Sequence, residues 1–269
     1  AGDNSYRYSG SNPNNFVCFG SDSETCENDN LYRIIGVFNN EVKLIKYDYA
    51  NSNMLGTYGD YNTNTFSGTT STYRGNHTTI NRYYWNNQTS TNTWSESGLN
   101  TINLNTNYIN YLNGIDTKWV NMIASHDYQA GGNDWNHIIA EVGKQKYENE
   151  LVNPATADVE HAKIGLMYVS DYGYAAAPSY WTTPMYRGDS QDYRLAATSN
   201  WMYMGLWEWT ISRDSGYADL SFYVNATGYV ADSYMSRNAY AARPVFYLSS
   251  NVAYAGGNGS MTNPIRLSA

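Results

Sequence analysis

Residue types capable of chemistry are present in this chain, but their spacing assembles none of the usual reactive sites. The four histidines, His77, His126, His137 and His161, are dispersed and lack zinc-ligand spacing. No GxSxG elbow, Walker loop or dinucleotide-binding glycine pattern occurs. The carboxylates Asp189 and Asp192 sit in a polar stretch and read as solvated groups rather than a glycosidase pair. Cys18 and Cys26 lie close together in FVCFGSDSETCEND, with Ser, Asp and Glu around them and no His. A disulfide closing a small loop is the preferred reading and two free thiols the alternative; the disulfide implies an oxidising compartment. The expectation is a non-enzymatic protein without metal or cofactor.

Tyrosine is what the chain has in excess, with 28 against 6 Phe and 8 Trp. Its ring offers large, rigid contact area with a polar tip, which suits binding surfaces; the alternative is that Tyr stands in for Phe in a β-rich core. Charged residues are only 15% of the 269, and the formal net charge is -8. An acidic chain without a Lys/Arg run is a poor partner for nucleic acid and for anionic membrane surfaces. No stretch approaches the roughly 20 apolar residues needed to cross a bilayer. The start, AGDNSYRYSG, reads as a mature or trimmed terminus, so a pilin-type or membrane anchor would lie upstream.

The elements that must position any site follow from periodicity. Leu31 to Tyr49 alternates as a hairpin around Asn39-Asn40, a dipeptide tolerant of positive φ. Asn51 to Gln88 is polar and weakly periodic, which predicts long loops with short strands. Apolar residues from Leu99 to Leu112 recur at three and four, predicting one or two helices. A further helix is expected near Trp135 to Val142, capped by Asn133 or Asp134. Ala162 to Ser170 reads as a buried strand. Trp201 to Ile211, Leu220 to Val224, Gly228 to Tyr234 and Val245 to Leu248 read as short strands between turns. These elements predict one α+β domain over residues 1–269, with an N-terminal hairpin region at 1–50 and a C-terminal sheet at 201–269.

Within Gly205 to Ser212, GLWEWTIS resembles the GNVWEWT signature of the formylglycine-generating-enzyme-like branch of the C-type-lectin fold. It matches at Gly205, Trp207, Glu208, Trp209 and Thr210, one residue short where Leu206 replaces Asn-Val. The resemblance implies small antiparallel sheets, a few short helices, long loops, and a structural role for Trp207, Glu208 and Trp209; Arg213 and Arg243, on framework-like positions, read as structural partners of carboxylates or carbonyls. Alternation puts both indoles on one face and Glu208 on the other, which predicts two core tryptophans and a buried carboxylate in need of donors. The family's oxidative chemistry uses a C-terminal cysteine pair, and no Cys follows position 26. The EPN- or QPD-like calcium loop of sugar-binding lectins is also missing. LYRIIGVF, AKIGLMYVSDYGYAA, WEWTISR and Arg243 to Leu267 further resemble surface proteins of Gram-positive gut bacteria.

Between Ser212 and Ala242, framework-like Gly216, Phe222, Val224, Gly228 and Val230 alternate with Tyr, Asp, Ser, Ala and Asn. Those types arise from Asn codons by changes at adenines, and the stretch resembles the variable region of proteins diversified by retroelements. A plain Tyr/Ser/Asp-rich pair of strands is the competing reading. The resemblance implies ligand contacts at Tyr217, Asp219, Ser221, Tyr223, Tyr229, Asp232, Ser233, Tyr234, Ser236, Arg237 and Asn238. The implied partner is a protein or glycan on another cell or phage, met outside the cell. A pilus or surface-layer subunit and a carbohydrate-active enzyme are the rivals.

Overall fold

The structure is a computed structural model that describes residues 5–64, 72–131, 134, 141–154, 158–186 and 193–269. The expected hairpin is the centre of its largest sheet. Strands β3 (Leu31–Phe38) and β4 (Glu41–Lys46) pair antiparallel, and Asn39 and Asn40 both take positive φ, 49° and 68°. A two-residue connection that follows the strand twist needs that backbone, and Asn reaches it at low cost. Strands β1 (Tyr6–Arg7) and β2 (Phe16–Cys18) pair with opposite ends of β3, while β13 (Val245–Tyr247) pairs with β4. Where β1 meets β3 the position is Gly36, because a Cβ there would lie 2.3 Å from the Tyr6 carbonyl oxygen. A disulfide joins Cys18 and Cys26 just beyond β2.

The second sheet is an antiparallel meander of β9 (Glu208–Arg213), β10 (Leu220–Val224) and β11 (Val230–Tyr234). A third contains β5 (Asp60–Asn64), β6 (Ile80–Tyr84) and β12 (Ala239–Tyr240). The amide of Trp209 donates to the Ala241 carbonyl at 3.0 Å, and that of Ala241 to the Trp207 carbonyl at 2.9 Å, so β9 is tied to the strand that follows β11. Two short hairpin pairs complete the strands: β7 (His126–Gln129) with β8 (Val159–Ala162), and β14 (Ala253–Gly256) with β15 (Arg266–Ser268).

Helical winding over 99–115 agrees with the spacing, although Leu99–Tyr108 is π-wound before Ile109–Ile115 becomes α-helical. Polar side chains five apart fit that winding: Asn105 Nδ2 donates to Asn100 Oδ1 at 2.7 Å and Thr106 to the Thr101 carbonyl at 2.8 Å. The expected helix at 135–142 falls largely outside the described residues, as do His137, Asp189 and Asp192. Ala162 to Ser170 is not a strand. Its middle is buried extended chain bridged only at Gly165 to Val245, and a helix starts at Val169. A short apolar run fits a buried strand and buried coil equally well, and periodicity does not separate them. The strand expected from Trp201 begins at Glu208, after a turn segment in which Gly205 has φ 88°.

The architecture is therefore mixed α and β, with several small antiparallel sheets and few helices, and no barrel forms among the described residues. Among the described residues five tryptophans are fully or almost fully buried: Trp85, Trp94, Trp119, Trp201 and Trp209. Many tyrosines join them, and their hydroxyls donate to main-chain carbonyls of loops, a strand and a helix end. Tyr83 donates to Gly56, Tyr128 to Val245, Tyr172 to Gly228 and Tyr193 to Gly173, at 2.7 to 3.2 Å. Much of the tyrosine excess is thus core with a built-in donor, which a loop-rich fold needs and Phe does not supply. Among the described residues no helix is long and apolar enough to cross a membrane.

Candidate ligand-binding face

The C-terminal meander rests on a buried ion pair. Arg243 donates from Nε to Glu208 Oε1 at 2.7 Å and from Nη2 to Glu208 Oε2 at 3.0 Å, and Nη2 also reaches the Met202 carbonyl at 2.6 Å. Both side chains are essentially inaccessible. Burial pushes the Glu208 carboxyl up, and the Arg243 guanidinium opposes that shift. Two bonds in a fork fix the start of β9 far better than one would. The donors that a buried Glu208 requires are those of Arg243.

Above this pair, period-two alternation sorts the implied contact residues onto different faces. Register places Tyr223 opposite Trp209 and Ala231, and Ser221 opposite Arg213 and Ser233. On this face Tyr240 packs against Trp209 at 4.4 Å, Tyr223 at 4.6 Å and Trp207 at 5.4 Å between ring centroids. Ser233 Oγ lies 2.9 Å from the Tyr240 hydroxyl and accepts from Asn238 Nδ2 at 2.8 Å. The result is an aromatic cluster with a small polar edge. Trp209 is sealed beneath it, but Trp207 is 45% exposed, contrary to the expectation of two core indoles. Facing the same side as Trp209 is not enough for burial: Trp207 precedes the first paired residue of β9.

A second group gathers at the end of the meander where β10 begins and β11 stops. Leu220 pairs with Tyr234, and the Met235 amide donates to the Asp219 carbonyl. Tyr217 and Tyr234 are 57% and 44% exposed, and the Arg237 guanidinium lies 4.7 Å over the Tyr234 ring. Ser236 and Arg237 are exposed on the turn between β11 and β12, whose amides at Arg237 and Asn238 donate to the Tyr234 carbonyl. The 214–220 loop that carries Tyr217 is latched by Asn92. Its Nδ2 lies 2.7 Å from the Asp214 carbonyl, 3.0 Å from that of Tyr217 and 2.7 Å from that of Leu220. Nothing in the sequence around Asn92 signals this role, because the partner lies over 120 residues away.

The remaining implied contacts are less available. Ser221 is buried, and its hydroxyl has no hydrogen-bond partner among the described residues. Tyr229 is half-buried against Tyr186 at 6.0 Å. Asp232 stands opposite Phe222, on the face away from Tyr223, and neighbours Asp214. Burial pushes Asp214 up to about 7, with the neighbouring Asp232 adding to the shift, and burial raises Asp232 as well. Asp214 Oδ1 meanwhile accepts from the Gly216 and Tyr217 amides at 2.7 and 3.1 Å, which shapes the same loop. Arg213 lies 3.9 Å from Asp158, in keeping with a structural role. Among the described residues no group of three His, Cys, Asp or Glu side chains is placed to hold a metal. Comparison with protein-family models, with curated proteins and with solved structures finds no match to this chain.

Proposed function

We propose that this chain is an extracellular, non-enzymatic ligand-binding domain of a bacterial surface protein. It recognises a protein or glycan on another cell or phage through its C-terminal face. The single observation that carries the reading is the division within the meander. Trp207 at one end of it and Tyr217, Tyr234 and Arg237 at the other are exposed, while Trp209, Phe222, Val224, Glu208 and Arg243 are buried, the last two in a bidentate ion pair. Exposed aromatics on a rigid base lose little rotamer entropy when they bind, and that is the economy of a recognition surface.

The GLWEWTIS motif supports a C-type-lectin-like architecture, and the disulfide suits an oxidising, extracellular setting. Exposed Tyr217, Tyr234 and Ser236 beside buried Phe222, Val224 and Val230 also suit a segment diversified by a retroelement, because a buried framework tolerates change mainly where side chains reach solvent. Sequencing the surrounding locus tests this. A near-copy of the DNA for 212–242 beside a reverse-transcriptase gene, differing mainly at template adenines, is the expected finding. A locus without that copy, and a segment constant between strains, leaves a fixed-specificity binder.

A further inference from the structure

A cleft of about 270 Å³ opens where the N-terminal segment meets Trp201, with Arg33 and Arg74 in its wall. Arg33 is 4% exposed and is sandwiched between Phe16 and Trp201, its guanidinium carbon 4.2 and 4.6 Å from the two ring centroids. Every acceptor it meets is neutral: Asn15 Oδ1 at 2.7 Å, the Pro13 carbonyl at 3.0 Å, Asn12 Oδ1 at 3.4 Å and the Trp201 carbonyl at 3.5 Å. Arg74 likewise donates to carbonyls, those of Ala197, Asn200 and Tyr203.

Other buried cations of this protein are treated differently. Arg7 and Lys43 share Asp171, Lys146 has Glu141, Arg243 has Glu208, and Lys46 has Asp29 at 4.0 Å. Arg33 has no carboxylate within that distance among the described residues. Burying a cation without a counter-ion is costly, and burial brings the Arg33 guanidinium down to about 9. A second guanidinium beside it adds repulsion. An acidic protein that leaves two arginines together on a cleft, with carboxylates available elsewhere, has kept positive potential there.

We infer that this cleft is a second binding site, which takes a single ring bearing a carboxylate. The anion sits against the guanidinium edges of Arg33 and Arg74, where the two long bonds of Arg33 are readily exchanged for charge-assisted ones. The ring lies against Trp201, Met204 and Met261, and Asn12 offers a polar edge. The volume falls just under the usual range for ligand pockets, so one ring fits and a chain does not. The site is separate from the C-terminal face, although the segment from Trp201 to Trp207 contributes to both.

Calorimetric titration at low salt with glucuronate and benzoate, each against its uncharged counterpart, glucose and benzamide, tests the inference. At least one acid should bind about tenfold or more tighter than its neutral counterpart, and the arm that responds identifies an acidic sugar or an aromatic acid. Arg33 is buried and its replacement risks the fold, so the variants are Arg74→Gln and Met261→Trp at the exposed mouth. The first should weaken binding about tenfold and the second abolish it; Met261→Trp should leave the unfolding temperature unchanged, and Arg74→Gln, which gives up bonds to the Ala197, Asn200 and Tyr203 carbonyls, should remain folded at the titration temperature. Equal binding of acids and neutral counterparts, or acid binding that survives Met261→Trp, would overturn the site.

Discussion

Replacing Asn92 isolates the latch of the Tyr217 loop from every other feature of the face. The side chain is 4% exposed, and its amide nitrogen lies within 3.0 Å of three carbonyl oxygens, those of Asp214, Tyr217 and Leu220. An amide carries two hydrogens, so the three contacts amount to two full bonds. At about 1 kcal/mol net for each, Asn92→Ala loses about 2 kcal/mol. Asn92→Asp is the sharper probe because the shape is kept. An ionised carboxylate has no proton to donate and faces three carbonyls, so its loss should reach about 3–4 kcal/mol. At low pH the protonated acid regains one donor, and the deficit should shrink. Urea unfolding at pH 4 and pH 8, with amide exchange read over 214–220, gives both quantities. The expected order at pH 8 is wild type, then Asn92→Ala, then Asn92→Asp, with faster exchange in the loop of both variants. If Asn92→Asp stays within about 0.5 kcal/mol of wild type at pH 8, the latch does not hold the loop.

Two further outcomes follow from buried ionisable groups. Glu208→Gln leaves the Arg243 guanidinium buried with its charge unpaired, and should cost about 3–5 kcal/mol in urea unfolding. The double variant Glu208→Leu/Arg243→Met should be less damaged than either single change, and a cost below about 1 kcal/mol for Glu208→Gln contradicts the pairing. Glu150 is pushed up to about 7 by burial, against donors that include Ser212. The folded protein therefore holds a proton that the unfolded chain releases near 4.5, so this group's contribution is greatest below 4.5 and is lost as pH rises to about 7. Read as wild type minus Glu150→Gln, the decline should total about 3 kcal/mol, and a contribution that is flat or rises over that interval refutes the assignment.

The legible parts of the fold are those set by neighbouring residues. Asn39-Asn40 announces its turn because few residue types accept two successive positive φ values. Leu220–Val224 is a strand as expected, and the disulfide follows from two cysteines a few residues apart. The Glu208–Arg243 pair is half legible: a carboxylate between two indoles demands donors, and Arg243 is a nearby candidate on a framework position. What stays hidden depends on distant coverage. Trp207 and Trp209 carry the same local signal, yet one is sealed and the other projects, because the sheet ends between them. Asp232 and Ser233 look alike as polar contacts until the register of β10 and β11 sends them to opposite faces. Ala162 to Ser170 is apolar because it is buried, and burial alone does not choose a strand. The Asn92 latch and the paired arginines of the cleft join segments more than a hundred residues apart, where composition carries no trace of the contact.

Whether the exposed aromatics at the two ends of the C-terminal meander recognise a ligand is decided by paired binding curves on whole bacterial cells. Fluorescently labelled wild-type protein is compared, over a panel of strains, with the variant carrying Trp207→Ala, Tyr217→Ala and Tyr234→Ala. Each of these side chains is substantially exposed, so the variant should unfold within about 1 kcal/mol of wild type. The wild type should bind at least one strain saturably, and the variant should lose at least about a hundredfold in affinity. Equal binding by the two proteins would contradict this and move recognition to another surface.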